Sequence, residues 1–448
     1  MLETIDSGII DQVRGAAHLM TGTLADYDPL LDMIGEARVV LLGEASHGTH
    51  EFYRERARIT ERLIRERGFN AVAVEADWPD AYRVNRFVRG ASADTSAAEA
   101  LADFKRFPQW MWRNTDVVAF VGWLRQHNAT LAGQRPRTGF YGLDLYSLHT
   151  SMQAVERFLE RIDPQAAQQA RERYGCFDRF GEEPQEYGFL TSISGARSCQ
   201  AEVISELADL QRRSIEYLKR DGREAEDEAF FAEQNARLVR NAEEYYRAMF
   251  YGNVRSWNLR DRHMAEMLDA LAAYLTRRDG YARIAVWAHN SHLGDARATE
   301  MSRRGELNLG QLVRERYAHD ALLVGFTTHH GFVTAASEWG GAAERKSVRA
   351  ALEGSYEALL HATGLKRFML RFRREGPTPE ALQERKLERA IGVIYLPQTE
   401  RMSHYFHVEL ARQFDAVIHF DQTSAVEPLE RTARWERGEL PETYPSGV

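Results

Sequence analysis

Seven short runs of apolar, β-prone residues recur along the chain, and the longer stretches between them return an apolar residue every three or four positions. Short apolar runs are typical of buried strands, and the three-to-four spacing is typical of amphipathic helices. Their alternation predicts an α/β fold with a central, mostly parallel sheet flanked by helices. The strands are expected at Ala37–Leu42, Ala71–Val74, Phe140–Leu145, Ile284–Trp287, Ala321–Phe326, Ile391–Leu396 and Ala416–Phe420.

The stretch from 147 to 280 breaks this alternation. It contains no clear strand run, and segments such as SCQAEVISELADLQRRSIEYLKR follow the helical period. We therefore predict a large helical insert between the third and fourth strands, forming one wall of an active-site cleft. The chain then divides into a first part of the α/β core (1–146), the insert (147–280) and a second part of the core (281–448).

Composition narrows the class of partner. The 448 residues carry a formal net charge of −8, with positive and negative residues intermixed, which argues against a nucleic-acid or anionic-membrane surface. No apolar run is long enough to span a bilayer, and the first residues lack a signal-peptide pattern, so a cytoplasmic location is expected. With only two cysteines, Cys176 and Cys199, the protein is not expected to rely on disulfides.

Acids and histidines follow the predicted strands with unusual regularity. In parallel sheets the carboxyl ends of the strands meet at one edge, and ligands bind outside that edge. Side chains that follow five different strands are therefore expected to gather in one site. They are Glu44, Ser46 and His47 after the first strand, Glu75 and Asp77 after the second, Asp144 and Tyr146 after the third, His289, Asn290 and His292 after the fourth, and His329 and His330 after the fifth.

The turn GEASHG carries the first two candidates, Glu44 and His47, between two glycines. Histidine exchanges a proton near neutral pH, so His47 is a candidate general base, with Glu44 three residues before it. The alternative is a hydrogen-bonded turn histidine before the next helix. Glu75, directly after the second strand, could orient a histidine or polarise water; the alternative is a helix N-cap region, which Asp77 and Pro79 would suit.

Arg56 stands on the apolar stripe of the helix that follows this turn, four residues after Phe52 and three before Ile59. A core-facing arginine requires an anionic partner, because an unpaired buried charge is costly. Glu44 and Glu75 are the candidates. A structural ion pair, or an arginine that reaches out to solvent, is the alternative.

Two histidine pairs have a spacing of three residues: His289 with His292, and His404 with His407. The first pair could clamp a metal or act as a metal-free acid–base pair, and its spacing does not match the HExxH pattern. The second pair is interpreted as pocket or structural histidines. The sequence contains no GxSxG elbow, no phosphate-binding loop and no dinucleotide fingerprint, which favours activation of water over a covalent nucleophile or a nucleotide.

Several motifs together resemble the erythromycin esterase family: LLGEASHGTHEFYRERARI, VAVEADW, FYGLDLYS, VWAHNSHLG and LNLGQLVRERY. The late segments IGVIYLP, RMSHYFHVEL and QFDAVIHFDQTSAVEPLE are similar to chromosomal bacterial members of the family rather than to its resistance enzymes. The resemblance implies a central α/β sheet with a helical portion around a deep cleft. It also implies a hydrolase that opens a macrolide lactone with water, without an acyl-enzyme. The family's general base corresponds to His47, and its other site positions correspond to Glu44, Arg56, Glu75 and His289.

The sequence thus predicts a hydrolase of a small ester or lactone, with His292, Asp144 and His404 binding the substrate and no cofactor. No catalytic metal is expected, because the charge of Arg56 would occupy the place of a cation among the acids. A metal-dependent hydrolase, or a ligand-binding or regulatory protein on the same scaffold, remains an alternative. The sequence does not identify the substrate or the oligomeric state.

Overall fold

The computed structural model describes residues 7–131, 136–181, 183–193, 195–221, 223–372 and 378–438, with the backbone only for 214–221 and 223–225. Within these ranges the chain forms eleven strands. The strands are β1 (His18–Leu19), β2 (Val39–Leu42), β3 (Ala71–Asp77), β4 (Gly139–Asp144), β5 (Ile284–Trp287), β6 (Ala321–Ala335), β7 (Glu344–Val348), β8 (Arg367–Arg371), β9 (Lys386–Arg389), β10 (Tyr405–Val408) and β11 (Ala416–Thr423).

Nine of these strands form one mixed sheet in the order β1-β8-β11-β6-β2-β5-β3-β4, with β7 paired to β6. The six strands from β11 to β4 run parallel, whereas β8, β1 and β7 are antiparallel to their neighbours. Strands β9 and β10 form a separate antiparallel pair. The predicted α/β fold with a mostly parallel sheet is confirmed.

The register aligns the starts of the central strands. Val39 lies opposite both Ile284 and Ala321, and Ala71 lies opposite both Ile284 and Gly139. Because β2, β5, β3 and β4 start in one row and are each four to seven residues long, the residues at their carboxyl ends lie at one edge of the sheet. This alignment positions the side chains of the candidate site.

Most of the predicted strands are present, and several extend further than predicted. The prediction of a strand at Ile391–Leu396 is wrong: this segment makes only two isolated bridges, from Ile391 to Ser46 and from Ile394 to Ala336. Of its side chains, Ile391 and Tyr395 are buried in a small cluster with Val333, Ala335 and Val348. The apolar run therefore reflects burial rather than membership of the sheet.

Helices cover both faces of the sheet. Before residue 147 and after residue 280 they are mostly short. They are α1 (Ser7–Ala16), α2 (Asp28–Ile34), α3 (His50–Arg67), α4 (Trp78–Val88), α5 (Ala97–Ala100), α6 (Thr115–Thr130), α13 (Asn290–Leu293), α14 (Leu309–Tyr317), α15 (Tyr356–Ala362), α16 (Glu400–Ser403), α17 (Leu410–Gln413) and α18 (Ala433–Arg437).

The region 147–280 contains helices and, in its described residues, no strand. Its last helix packs against β4, the last strand in the order of the sheet, so the region lies beside that strand. Its α-helices are α7 (Leu148–Ile162), α8 (Pro164–Tyr174), α9 (Pro184–Ile193), α10 (Gln200–Asp221), α11 (Arg223–Ala248) and α12 (Asn253–Asp279).

Each parallel strand is buried on both faces, which explains why these strands read as continuous apolar runs. On β2, Val39 and Leu41 belong to the core that includes the helical region, whereas Val40 and Leu42 belong to the core shared with α3 and α6. The alternation of side chains across a strand divides the interior into these two layers.

The two cysteines correct an expectation. Cys176 and Cys199 are joined by a disulfide within the helical region, with Cα atoms 5.9 Å apart. The expectation that the protein would not use a disulfide is wrong here, because a low cysteine count says nothing about how close two cysteines come in the fold. Among the described helices, none is both long enough and apolar enough to cross a membrane.

Candidate active site

The turn between β2 and α3 is packed too tightly for side chains at its two glycines. A Cβ on Gly43 would collide with the side chain of Asn290, and one on Gly48 would collide with the carbonyl of Thr334. Helix α3 then begins at His50. The close packing fixes Glu44 and His47, both buried, at the carboxyl edge of the sheet.

His47, Glu44 and Arg56 form a buried chain of polar contacts. His47 Nδ1 lies 2.9 Å from Glu44 Oε1, and Glu44 Oε2 lies 2.5 Å from Arg56 Nη2. Arg56 is fully buried and lies over the rings of Tyr53 and Trp287, with its guanidinium carbon 4.5 and 5.2 Å from the ring centroids. A carboxylate oxygen can only accept from Nδ1–H, so Nε2 of a neutral His47 keeps its lone pair.

Glu75 faces the same edge from β3. Its Oε2 accepts the backbone N–H of His289 at 2.9 Å, and its Oε1 lies 2.7 Å from Nη2 of Arg260. Burial alone would raise the pKa of Glu75, but its interactions with His292, Arg260 and His47 and with the N–H of His289 hold that pKa well below its ordinary value. Glu75 is therefore ionised at neutral pH.

Arg260, on α12, is the central cation of this region, and the sequence analysis missed it. It donates to Asp144 through Nε at 3.0 Å and Nη2 at 2.7 Å, in addition to its contact with Glu75. Its guanidinium also lies 5.0 Å from the ring centroid of Tyr146. The neighbouring carboxylates and Tyr146 outweigh burial and raise the pKa of Arg260 well above its ordinary value, while Arg260 lowers the pKa of Asp144.

A signal for Arg260 was present in the sequence. Trp257, Arg260 and Asp261 share a face of α12 with Met264 and Leu268, which are fully buried. Charged residues on an apolar stripe indicate a buried ion pair, by the same argument that was applied to the helix after the GEASHG turn.

His292 is held between this helix and the sheet. Its Nδ1 lies 2.9 Å from Asp261 Oδ2, its Nε2 lies 3.0 Å from Arg260 Nη1, and its ring stacks on Trp257 at 4.4 Å. Burial lowers the pKa of His292, but Asp261 and Glu75 outweigh this effect and raise it. The guanidinium of Arg260 can only donate, so Nε2 of His292 accepts. This contact decides the tautomer, and we assign the neutral ring with its proton on Nδ1.

His289 has the opposite tautomer. Its Nδ1 accepts the backbone N–H of Ser291 at 3.2 Å, so the proton of the neutral ring is on Nε2. Burial, reinforced by the charge of His47, lowers the pKa of His289 to about 3, which keeps the ring neutral. Nε2 is buried without a hydrogen-bond partner among the described residues, and the ring centroid lies 4.9 Å from that of His47.

These groups surround a cavity of about 330 Å³. Its polar lining includes His47, Glu75, Asp144, Arg260, His289 and His292, whereas Glu44 and Arg56 lie behind His47. The helical region contributes Trp257 and Arg260 to the wall, and the rest of the wall is strongly aromatic. The aromatic residues of the lining are Phe104, Phe107, Trp112, Tyr146, Trp257 and Trp339.

Other candidates from the sequence lie elsewhere. His404 does not line this cavity; its Nε2 accepts the N–H of Leu396 at 3.1 Å, and burial lowers its pKa to about 4. The predicted substrate contact of His404 is thus not supported by its position. His329 and His330 also lie outside the lining, because β6 continues to Ala335 instead of ending before them.

The fold and the cavity define an α/β protein with a histidine- and carboxylate-lined site at the carboxyl edge of a parallel sheet. The chain belongs to the erythromycin esterase family, whose profile matches residues 64–423. This confirms the resemblance seen in the sequence motifs, and the family indicates a hydrolase of the esterase type that acts on a small molecule. The matched range begins after the GEASHG turn.

The chain is also similar to a named relative and to solved structures. The chain is 23% identical to the erythromycin esterase type II of Escherichia coli over 421 residues, which is 90% of this chain and 93% of the relative. A Bacillus cereus protein of known structure shares the fold with a TM-score of 0.78 and 18% identity, over 95% of this chain and all of that one. A mutant of the erythromycin esterase EreC in its open conformation gives a TM-score of 0.63 at 18% identity, over 91% and 95% of the two chains.

Proposed function

We propose that the protein hydrolyses a carboxylic ester or lactone by direct attack of water that His47 activates. The observation that carries the proposal is the contact chain His47–Glu44–Arg56 behind a cavity that His47 itself lines. Glu44 fixes the tautomer in which Nε2 is the free basic nitrogen. A water bound at Nε2 would lose its proton to that nitrogen as it attacks the carbonyl carbon.

His289 supplies the complementary group. The attack places negative charge on the carbonyl oxygen, and a nearby N–H donor would stabilise that charge. Nε2–H of His289 is such a donor, since the ring is neutral, is buried and lies beside His47. As the tetrahedral intermediate collapses, the proton held by His47 passes to the leaving alkoxide. No covalent enzyme intermediate forms, because water and not a side chain attacks the carbonyl carbon.

The acids of the site are paired with arginines rather than arranged around a cation position. Arg56 pairs with Glu44, and Arg260 pairs with both Glu75 and Asp144. Arginines this close compete with any metal for the carboxylate oxygens. We therefore propose catalysis without a metal, with a positively charged Arg260 orienting Glu75, which in turn accepts the backbone N–H of His289. The cytoplasmic location expected from the sequence stays a prediction.

The aromatic wall supports an apolar substrate that carries the ester. The six aromatic rings in the lining suit the burial of hydrocarbon or sugar faces, and the charged groups of the same lining suit the polar ester. A second cavity of about 970 Å³ shares Asp77, Asp80, Arg106 and Tyr146 with the first, so a large lactone such as a macrolide can extend into it.

The test is a panel of esters and lactones, including a macrolide, assayed with the wild type and with His47→Ala. We expect hydrolysis by the wild type and its near loss in the variant. The matched control is His407→Ala, since His407 contacts Glu300 at 3.1 Å and does not line the cavity. Hydrolysis that survives in His47→Ala would refute the assignment of the base.

The absence of a covalent step is tested separately. Intact-protein mass spectrometry during turnover should show no acyl adduct. Hydrolysis in ¹⁸O-water should place the label in the acid product, which shows that water attacks the carbonyl carbon and not the alkyl carbon. A stable adduct would contradict direct attack by water. Tight binding of the panel without turnover would instead favour the ligand-binding alternative.

A further inference from the structure

A histidine-rich cluster lies on β6 and β11, outside the active-site cavity. His329 and His330 are on β6, and Asp421 is on β11; Phe420 pairs with Thr328 and Gln422 with His330, so Asp421 lies opposite His329. His361, on α15, stacks on His329 with ring centroids 3.7 Å apart. None of these four residues lines the cavity of the proposed esterase site.

The potential ligand atoms of the cluster converge. One atom each from His329, His330 and Asp421 lies within 4.8 Å of the others, and this is the only such group among the described residues. Nδ1 of His329 lies 3.0 Å from Nδ1 of His330, and Nδ1 of His361 lies 2.6 Å from Asp421 Oδ1. Four potential ligands thus face one another across two strands and a helix.

The backbone that carries these ligands is held in place independently. Nη1 of Arg389 donates to the carbonyl of His329 at 2.9 Å, and Nε of Arg389 lies 3.1 Å from Glu400. The charge of Arg389 is therefore balanced by its own carboxylate partner. The only carboxylate among the four potential ligands, Asp421, accepts from His361.

We propose that His329, His330 and Asp421 form a binding site for one divalent transition-metal ion, Zn²⁺ being the reference ion, with His361 as the fourth ligand. Imidazole nitrogen and carboxylate oxygen are ligands that such ions favour. Zinc–ligand distances are about 2.0–2.2 Å, so ligand atoms within 4.8 Å of one another need only small side-chain rotations to converge on an ion. The bound ion would tie α15 to the central sheet.

The first experiment is calorimetric titration of Zn²⁺ into metal-stripped protein. We expect one ion per chain, and we expect Asp421→Asn and His330→Gln each to weaken binding by about ten-fold or more. His319→Gln is the matched control, because the side chain of His319 is 92% exposed and contacts only Asp320 among the described carboxylates. Its affinity should equal that of the wild type.

Two further variants keep the result interpretable. His361 is on the surface, so His361→Gln removes a ligand without disturbing the core and should also weaken binding. His47→Ala should leave binding unchanged, since His47 belongs to the other site. Wild-type affinity for Zn²⁺ in all cluster variants, or loss of binding only in His47→Ala, would overturn the proposal.

A second measurement reports on the coordination itself. Binding of Co²⁺ should give d–d absorption that Asp421→Asn alters in intensity and position, and Zn²⁺ should raise the thermal unfolding temperature of the wild type but not of Asp421→Asn. Identical spectra and identical thermal shifts in the two proteins would show that the ion binds elsewhere.

Discussion

Arg260 neutralises two buried carboxylates at once, and replacing it with methionine should make the stability of the protein fall as the pH rises from about 5 to 7. In the wild type the pKa of Glu75 is held below its ordinary value of 4.5. A carboxyl group of this kind binds fewer protons in the folded state than in the unfolded state. It therefore contributes stability above about pH 4.5, and that contribution is lost as the pH falls through the folded pKa.

In Arg260→Met, Glu75 and Asp144 face each other without their common cation, so burial and mutual repulsion raise their pKa values. Breaking a buried ion pair by removing one partner costs about 3–5 kcal/mol. The two carboxylates are only 2% and 4% exposed, so we expect a loss of about 4–5 kcal/mol at pH 7. Each of these groups then takes up a proton on folding. Between about pH 5 and 7 the free energy of unfolding should therefore fall, for each such group, by up to about 1.4 kcal/mol per pH unit.

The assay is urea denaturation followed by fluorescence at a series of pH values from about 5 to 7, with Arg255→Met as control. Arg255 lies on the same helix, but its side chain is 57% exposed and lies 3.9 Å from Glu244, so its replacement should change stability little. A loss below about 1 kcal/mol in Arg260→Met, or a stability of this variant that does not fall as the pH rises from about 5 to 7, would refute the electrostatic argument.

Three further predictions concern turnover. His47→Ala should lower kcat by about 10²–10⁴-fold without changing the urea midpoint, and a variant that keeps most of its kcat would exclude His47 as the base. Arg56→Lys should lower kcat by roughly ten-fold, because an ammonium group cannot reproduce the planar guanidinium that pairs with Glu44 and lies over the rings of Tyr53 and Trp287; full activity would contradict this. Dialysis against a strong chelator should leave kcat unchanged. Activity that is lost on dialysis and restored by Zn²⁺ in both the wild type and Asp421→Asn would establish a catalytic metal, because that variant lacks a ligand of the zinc site proposed on β6 and β11.

The central strands could be predicted because burial on both faces leaves an unbroken apolar run, as in VVLL and IAVW. Strands β7 (ERKSV) and β9 (KLER) were not predicted, because they are short and consist mostly of charged and polar residues. Likewise, the sequence does not show that β6 continues past His329 and His330, because the polar residues TTHH interrupt the apolar run after Phe326.

The candidate site divides in the same way. Glu44, His47, Glu75, Asp144 and His289 follow predicted strands, so a parallel sheet was sufficient reason to expect them together. Arg260 and Asp261 come from a helix more than a hundred residues after Asp144, and only the packing of α12 against β4 brings them there. His404 illustrates the reverse error, because a histidine pair with helical spacing carries no information about which cavity it faces.

The contact of Arg260 with Glu75 and Asp144 limits how this scaffold can be recombined. A chimera that takes residues 147–280 from a relative with a neutral residue at this position would install a new cleft wall and, at the same time, leave two acids of the sheet uncompensated. Removing the helical region to obtain a minimal α/β core would open the cleft and would also leave Glu75 and Asp144 without their positively charged partner. Grafting of substrate preference should therefore retain the WNLRD segment of α12 and exchange only the helices before it.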